Sequence, residues 1–185
     1  MAPSNTTGIS LPVKRSALDQ SFFARPALKV ARELLGKHLV RRIGQCEQAV
    51  LISEVEAYIG PHDLACHARF GRTPRTEVMY GAAGHWYVYL CYGIHWMLNV
   101  VTDAEAYPAA VLFRAAGELI GPGRLTKGLQ IDRRLNTKPA TQASGLWVED
   151  RGFRVRSKQI ECTPRIGIDY AGDWKHELFR FVIKQ

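Results

Sequence analysis

The sequence predicts an α+β fold, a single domain with a curved, mostly antiparallel β-sheet that is flanked by helices and carries a protruding β-hairpin. Two observations lead to this prediction. Short apolar runs with strand-like alternation follow one another between glycine-containing turns, and two other stretches have the apolar spacing of a helix. At 185 residues, the chain can bury one core and is too short for two ordinary domains.

The first predicted helix covers residues 27–35, with Pro26 at a favoured helix start and Gly36 as a left-handed stop. A shorter helix is predicted over 123–129. Alternation and apolar content predict strands at 38–43, 50–58, 109–116, 146–149 and 179–183, and a hairpin over 85–101. Glycine and proline punctuate 60–84, and 132–144 lacks periodicity, so we expect loops there, the second at the surface. Residues 1–17 are polar and small, which predicts a disordered tail before a domain at 18–185.

The formal charge of +8 and the isoelectric point near 9.5 suit a polyanionic partner. The charge is unevenly distributed: residues 1–45, 46–120, 121–165 and 166–185 have net charges of +6, −4, +6 and 0, which sum to +8. An acidic middle between basic segments is the pattern expected if the phosphates of a polyanion are held around a site of carboxylate chemistry.

The four cysteines have no C-x-x-C spacing, which argues against a disulfide framework or a structural zinc site. No stretch approaches the roughly 18 apolar residues of a membrane span, and the first residues lack the apolar core of a signal peptide. We therefore expect a soluble, intracellular protein without a metal or membrane attachment, located in the cytoplasm or nucleoid if it is bacterial.

The run at 50–58 places Glu54, Glu56 and Tyr58 on one strand face, because side chains alternate along a strand. Taken alone, this pattern also fits the solvated face of a half-buried strand. The downstream sequence favours a functional interpretation, because His67 is followed by the basic turn 69–75 and by the aromatic stretch 85–99.

Four motifs in a fixed order carry a family resemblance: EVEAYIGP at 54–61, GRTPR at 71–75, YVYLCYG at 87–93 and VLFRA at 111–115. Together they resemble the alkyladenine (3-methyladenine) DNA glycosylases, and weaker similarity extends from residue 22 to residue 174. The resemblance implies a monofunctional enzyme of base-excision repair. Such an enzyme flips an alkylated purine out of duplex DNA and hydrolyses its N-glycosidic bond without a cofactor.

The resemblance also implies roles for individual residues. Glu56 matches the general base, and Arg114 matches the arginine that helps to hold the attacking water. Four side chains match the positions that bind the base: the aromatic rings of Tyr58 and Tyr89, the imidazole of His67 and the amide of Asn99. In this set Asn99 is the side chain that excludes normal guanine.

At the expected hairpin tip, Tyr92 matches the tyrosine that intercalates into DNA and fills the gap left by the flipped nucleotide. Contacts to the DNA backbone or minor groove are expected from Arg72, Arg75, Ile94, His95 and Lys127. His95 departs from the family pattern, because family members also carry tyrosine at this position.

The hairpin geometry leaves two registers open. A two-residue loop at Tyr92 and Gly93 would pair Tyr89 with Trp96 and turn Asn99 to the other face. A three-residue turn or a bulge would instead pair Tyr89 with Met97 and Tyr87 with Asn99, which brings Tyr89 and Asn99 to the same face.

We therefore expect a monomeric DNA glycosylase that acts on double-stranded DNA containing damaged purines, with alkylated purines as substrates and deaminated purines as a further candidate class. One alternative is a hydrolase of free nucleosides or other glycosides that uses Glu54 and Glu56 together. A second alternative is a damaged-DNA-binding module without catalytic activity.

Overall fold

A computed structural model describes residues 15–184 of the chain. Most of the predicted tail at 1–17 therefore lies outside the described residues. The part that is described is paired: Ser16 and Ala17 form a short strand against Asp150 and Glu149. Regular structure thus begins two residues earlier than Leu18, where the sequence predicts it.

The described residues form ten strands in one antiparallel sheet, confirming the predicted α+β class. Along its main path the order is β1-β8-β2-β3-β6-β5-β4; β10 pairs with β3 and β9, and β7 pairs with β6. The strands are β1 (Ser16–Ala17), β2 (His38–Ile43), β3 (Cys46–Tyr58), β4 (Trp86–Cys91), β5 (His95–Thr102), β6 (Ala109–Ala116), β7 (Leu119–Ile120), β8 (Leu146–Asp150), β9 (Ile160–Thr163) and β10 (Arg180–Ile183).

Helix α1 (Gln20–Phe23) leads into α2 (Ala27–Leu34), and α3 (Pro122–Gly128) follows β7. Helix α2 buries Ala27, Val30, Ala31 and Leu34 in the main core, which also takes up the apolar side chains of β3, β6 and β8. Gly36 has a φ of 82°, which explains why the helix stops there. No helix within residues 15–184 is long and apolar enough to cross a membrane.

Strand β3 is the longest element, at 13 residues, and connects the two halves of the sheet. Its first half pairs with β2, whereas its second half pairs with β6 and β10. The register between β3 and β6 shifts around Glu54, where a bulge interrupts the pairing. The half of β3 that carries Glu54, Glu56 and Tyr58 is therefore held by neighbouring strands on two sides.

The hairpin β4–β5 adopts the second of the two registers left open by the sequence. Tyr89 pairs with Met97 and Tyr87 pairs with Asn99, across a turn of Tyr92, Gly93 and Ile94. Tyr92 and Gly93 both have positive φ, of 51° and 69°, which closes the three-residue turn. This register places Tyr87, Tyr89, Met97 and Asn99 on the wall of the same cavity.

The sequence missed β1, β7 and β9, which have only two to four residues each and therefore show no alternation. The surface loop expected at 132–144 is wrong in part. It contains two 3₁₀ turns, and its Leu135 and Ala140 are buried in the main core. These two apolar residues are five positions apart, so they do not produce a helix or strand period that the sequence could reveal.

A buried ion pair ties the loop after β3 to the segment after β9. Arg165 donates from Nη1 and Nη2 to the two carboxylate oxygens of Asp63, at 2.5 and 2.8 Å, and neither side chain is exposed. Arg165 Nη1 also donates to the carbonyl of Ala57 at 2.9 Å, and Asp63 accepts from the backbone amides of Ile59 and Ala65. The pair thus holds three parts of the chain together.

We predict that Asp63→Asn lowers the free energy of unfolding by about 3–5 kcal/mol, because Arg165 would remain buried without its counter-charge. Urea denaturation would measure this loss. The matched control is Glu47→Gln, which removes a half-exposed ion pair to Arg42 on the β2–β3 hairpin and should cost less than about 1 kcal/mol. Equal losses in the two variants would contradict a special role for the buried pair.

Candidate active site

A cavity of about 410 Å³ opens beside the second half of β3, within the size range of small-molecule sites. Its wall combines carboxylate, guanidinium and aromatic groups from β3, β4, β5 and β6 with the loops around 65–79 and 166–170. The predicted site residues that line it are Glu56, Tyr58, His67, Arg75, Tyr89, Tyr92, Asn99 and Arg114. The structure therefore brings residues from distant parts of the sequence to a single cavity.

Glu56 lies on this wall although none of its surface is accessible to solvent. Its Oε1 accepts from the backbone amide of Ile166 at 2.9 Å and lies 3.3 Å from Arg114 Nη1. Its Oε2 accepts from the hydroxyl of Tyr58 at 2.9 Å. Burial raises the pKa of Glu56, and Arg114 is the largest of the influences that oppose this shift.

Arg114 lies between two carboxylates. Its Nε donates to Glu54 Oε1 at 2.7 Å while its Nη1 approaches Glu56. The same oxygen of Glu54 accepts from Arg180 Nε at 2.6 Å, and Arg180 also donates to Thr163 Oγ1. Glu54 is buried and does not belong to the described lining of the cavity. Its position fits a role in orienting Arg114.

Aromatic rings form one side of the cavity. The rings of His67 and Tyr89 meet edge-on with centroids 4.7 Å apart, and Tyr87 lies 5.1 Å from Tyr89. His67 Nδ1 is 2.8 Å from the Tyr87 hydroxyl. Burial, together with Arg75 and Arg69, lowers the pKa of His67 to about 4, and burial raises the pKa of Tyr87 to about 12. Both rings are therefore neutral near pH 7.

Asn99 is buried at the same wall, and its Nδ2 donates to the backbone carbonyl of Tyr87 at 3.1 Å. This bond fixes the amide across the hairpin pair. The contact depends on the three-residue turn, because a one-residue slip would turn Asn99 to the opposite face.

The hairpin tip extends into solvent. Tyr92 is 90% exposed and Ile94 is 72% exposed, although both are large and apolar. Exposed apolar side chains next to a cavity mark binding surfaces more often than they contribute to folding. His95 is exposed as well, and its ring lies so close to Gly123 that a Cβ there would come within 2.9 Å of it. The His95 ring thus lies against the start of α3, while Tyr92 and Ile94 project into solvent.

The other expected DNA contacts lie in different surroundings. Arg72 is exposed and paired with Glu77, with Nη2 to Oε1 at 2.6 Å. Arg75 lines the cavity with its guanidinium 4.8 Å from the centre of the Tyr89 ring. Lys127 is exposed in the last turn of α3. The structure brings Arg75 to the cavity and leaves Arg72 and Lys127 out of its described lining.

Sequence reasoning missed several residues that the geometry makes important. Arg165 and Asp63 hold the segment that contains Ile166, and Arg180 shares Glu54 with Arg114. The guanidinium of Arg165 also lies 4.7 Å from the centre of the Tyr58 ring. The sequence around Arg165 contains no local signal that indicates an ion pair with Asp63. Within residues 15–184, no cluster of three His, Cys, Asp or Glu side chains could hold a metal ion.

Nearly the whole chain matches a known protein family. Residues 21–120 and 116–185 match the family described as methylpurine-DNA glycosylase. The two matched segments contain every residue of the cavity wall described above.

Individual relatives agree with this match. A protein of Psychrobacter cryohalolentis is 47% identical over 200 residues, covering 92% of this chain and 93% of the relative. A protein of Myxococcus xanthus is 49% identical over 177 residues, with 90% of each chain covered. A protein of Methanocella arvoryzae is 45% identical over 187 residues, covering 90% and 92%. All three are provisionally named 3-methyladenine DNA glycosylases.

We predict that the His67 ring stays neutral between about pH 5 and 8 and titrates with a pKa of about 4. The reason is that burial of the ring disfavours its charged form and so lowers its pKa. Since this pKa is below its ordinary value of 6.5, neutral His67 stabilises the fold above pH 6.5, and that contribution is lost as the pH falls towards 4. Imidazole NMR signals followed against pH would measure it, with His67→Gln assigning the resonance. A His67 signal that titrates near 6.5 would contradict the burial argument.

Proposed function

Because this chain belongs to the methylpurine-DNA glycosylase family and is a DNA-repair hydrolase of that kind, we propose that it flips alkylated purines out of duplex DNA and releases them. One observation carries the proposal: Glu56 lies on the wall of an aromatic cavity, fully buried and contacted by Arg114.

Glu56 is proposed as the general base. Cleavage of the N-glycosidic bond passes through an oxocarbenium-like sugar, which a nearby carboxylate stabilises while it takes a proton from the attacking water. Hydrogen bonds from Tyr58 and from the Ile166 amide fix the carboxylate, so no reorganisation is needed as charge develops. Arg114 opposes the effect of burial on the pKa of Glu56 and keeps the basic form accessible.

The aromatic wall is proposed to hold the flipped base. Tyr58 and Tyr89 offer ring surfaces on which any purine can stack, and an alkylated purine with positive charge gains cation–π attraction there. His67 is neutral near pH 7 and can contact the edge of the base without adding charge. Asn99, fixed by its bond to the Tyr87 carbonyl, is placed to exclude the exocyclic 2-amino group of guanine.

Tyr92 is proposed as the intercalating residue. Its ring is almost fully exposed at a hairpin tip beside the cavity mouth, where it contributes little to the core. A ring that enters the stack can occupy the space of the flipped nucleotide and delay its return. Ile94 and His95 would accompany it into the minor groove, and Arg72 and Lys127 would contact phosphates.

The alternative of a two-carboxylate glycosidase is disfavoured by the surroundings of Glu54. A general acid needs a proton to donate, whereas Glu54 accepts from both Arg114 and Arg180 and is absent from the described cavity wall. A binding module without catalysis would not need a buried carboxylate beside an arginine, because such a group is costly to bury.

We predict that Glu56→Gln retains binding to damaged duplex DNA but lowers base release at least about 100-fold, the lower range for losing a general base. Single-turnover assays on duplexes with one defined alkylated purine, with abasic sites counted, would measure this loss. Glu149→Gln is the matched control, since Glu149 is also a buried carboxylate but lies outside the described cavity wall. Near-normal release by Glu56→Gln would exclude the proposed role of this residue.

We predict that Tyr92→Ser weakens lesion binding by about 1–3 kcal/mol, the range for losing one base–aromatic stack, and leaves the melting temperature nearly unchanged. Equilibrium binding to lesion and undamaged duplexes, together with calorimetry, would test both parts. Ile43→Ser changes an exposed apolar residue at another hairpin turn and should leave binding unaffected. If Tyr92→Ser unfolds the protein, the ring serves the fold and not the DNA.

A further inference from the structure

Arg75 occupies a position that the proposed mechanism does not use. It lines the cavity, and its guanidinium lies 4.8 Å from the centre of the Tyr89 ring. It also acts electrostatically on two other residues of the wall: its charge adds to the effect of burial that lowers the pKa of His67, and it opposes the burial that raises the pKa of Tyr87. The positive charge of Arg75 is therefore felt inside the cavity and not only at the outer surface.

A neighbouring arginine provides the contrast. Arg72 lies three residues away in the same turn, and Glu77 neutralises it through two short contacts of 2.8 and 2.6 Å. Within residues 15–184, no carboxylate lies within 4.0 Å of the Arg75 side chain. The two arginines of this turn therefore differ. Arg72 is neutralised and lies outside the described cavity wall, whereas Arg75 lies on that wall without a counter-ion.

A guanidinium in this place has two chemical consequences for a bound base. It donates parallel hydrogen bonds, which fit the adjacent N7 and O6 acceptors on the Hoogsteen edge of a 6-oxopurine. It also repels a purine that is itself positively charged, and its position 4.8 Å from the centre of the Tyr89 ring weakens the cation–π attraction that this ring offers such a base.

We infer that Arg75 is a specificity-determining residue that favours neutral 6-oxopurines with a free N7, such as hypoxanthine, over purines made cationic by alkylation at N7. The inference rests on the proposed function, because it assigns a substrate preference to the same cavity. It also gives Arg75 a different role from Arg72, which would contact the DNA backbone and act on all lesions equally.

The test compares two duplexes of one sequence, with hypoxanthine or 7-methylguanine at the same position. Both bases have O6, but hypoxanthine is neutral with a free N7, whereas 7-methylguanine is cationic and its N7 is blocked. 7-Methylguanine also has the 2-amino group that Asn99 is proposed to exclude, and because every variant retains Asn99, this difference cancels when the ratios of the variants are compared. Single-turnover release rates are measured for the wild type, Arg75→Gln and Arg72→Gln. The quantity of interest is the ratio of the hypoxanthine rate to the 7-methylguanine rate.

Arg75→Gln should lower this ratio at least tenfold, which corresponds to about 1.4 kcal/mol of discrimination. The loss should come from slower hypoxanthine release and unchanged or faster 7-methylguanine release. Arg72→Gln should slow both reactions by the same factor and leave the ratio unchanged. Arg75→Lys keeps the charge without the planar pair of donors, so it should lose hypoxanthine activity while 7-methylguanine release stays at the wild-type level.

The inference is overturned if Arg75→Gln slows both lesions equally and reduces the salt dependence of binding, as the loss of a phosphate contact would. It is also overturned if Arg75→Lys matches the wild type on both duplexes while Arg75→Gln changes neither. These failures differ from a failure of the proposed function, in which the wild type itself would release neither base. Arg75 is exposed, and calorimetry would confirm that each variant is folded.

Discussion

The burial of Glu56 is the constraint on which the rest of this site depends. A carboxylate without accessible surface is tolerated only when donors replace the water it has lost. Three donors do so here, and they come from different elements: the Tyr58 hydroxyl on β3, the Arg114 guanidinium on β6 and the Ile166 amide after β9. Satisfying one side chain therefore fixes the relative positions of two strands and a loop, and those elements form the cavity.

The Ile166 amide can serve Glu56 only if its segment is held in place, and the preceding residue provides the anchor. Arg165 is bound by Asp63 and by the Ala57 carbonyl, and its guanidinium covers the Tyr58 ring. Stability and site geometry are thus carried by the same contacts. A substitution that breaks the ion pair would loosen the Glu56 environment as well as the fold, so losses of activity and of stability should accompany each other at this position.

The sequence predicts those parts of the structure that have local signals. Strand alternation identified β2, β3 and β6, and turn length limited the hairpin to two registers, one of which is observed. The family resemblance supplied eight of the residues that line the cavity, among them Glu56 and Arg114. The ion pairs had no such signal, because Arg165 and Asp63 are 102 residues apart, and Arg180 and Glu54 are 126 residues apart. The Arg180–Glu54 pair follows from the antiparallel pairing of β10 with β3, and the Arg165–Asp63 pair follows from the loop that this pairing supports. Both arrangements exist only once the sheet has formed.

The same long-range pairs change how the charge distribution is understood. The sequence suggests that basic segments around an acidic middle bind phosphates, but the structure uses part of that charge internally: Arg165 neutralises Asp63 and Arg180 neutralises Glu54. With Arg114 included, three arginines balance the three acids Glu54, Glu56 and Asp63. The core of the site is therefore close to neutral, and a single cation such as Arg75 on the wall is not cancelled by it. The potential inside the cavity is then set by the few residues at the wall, whereas the overall excess of +8 lies mainly outside this neutral cluster.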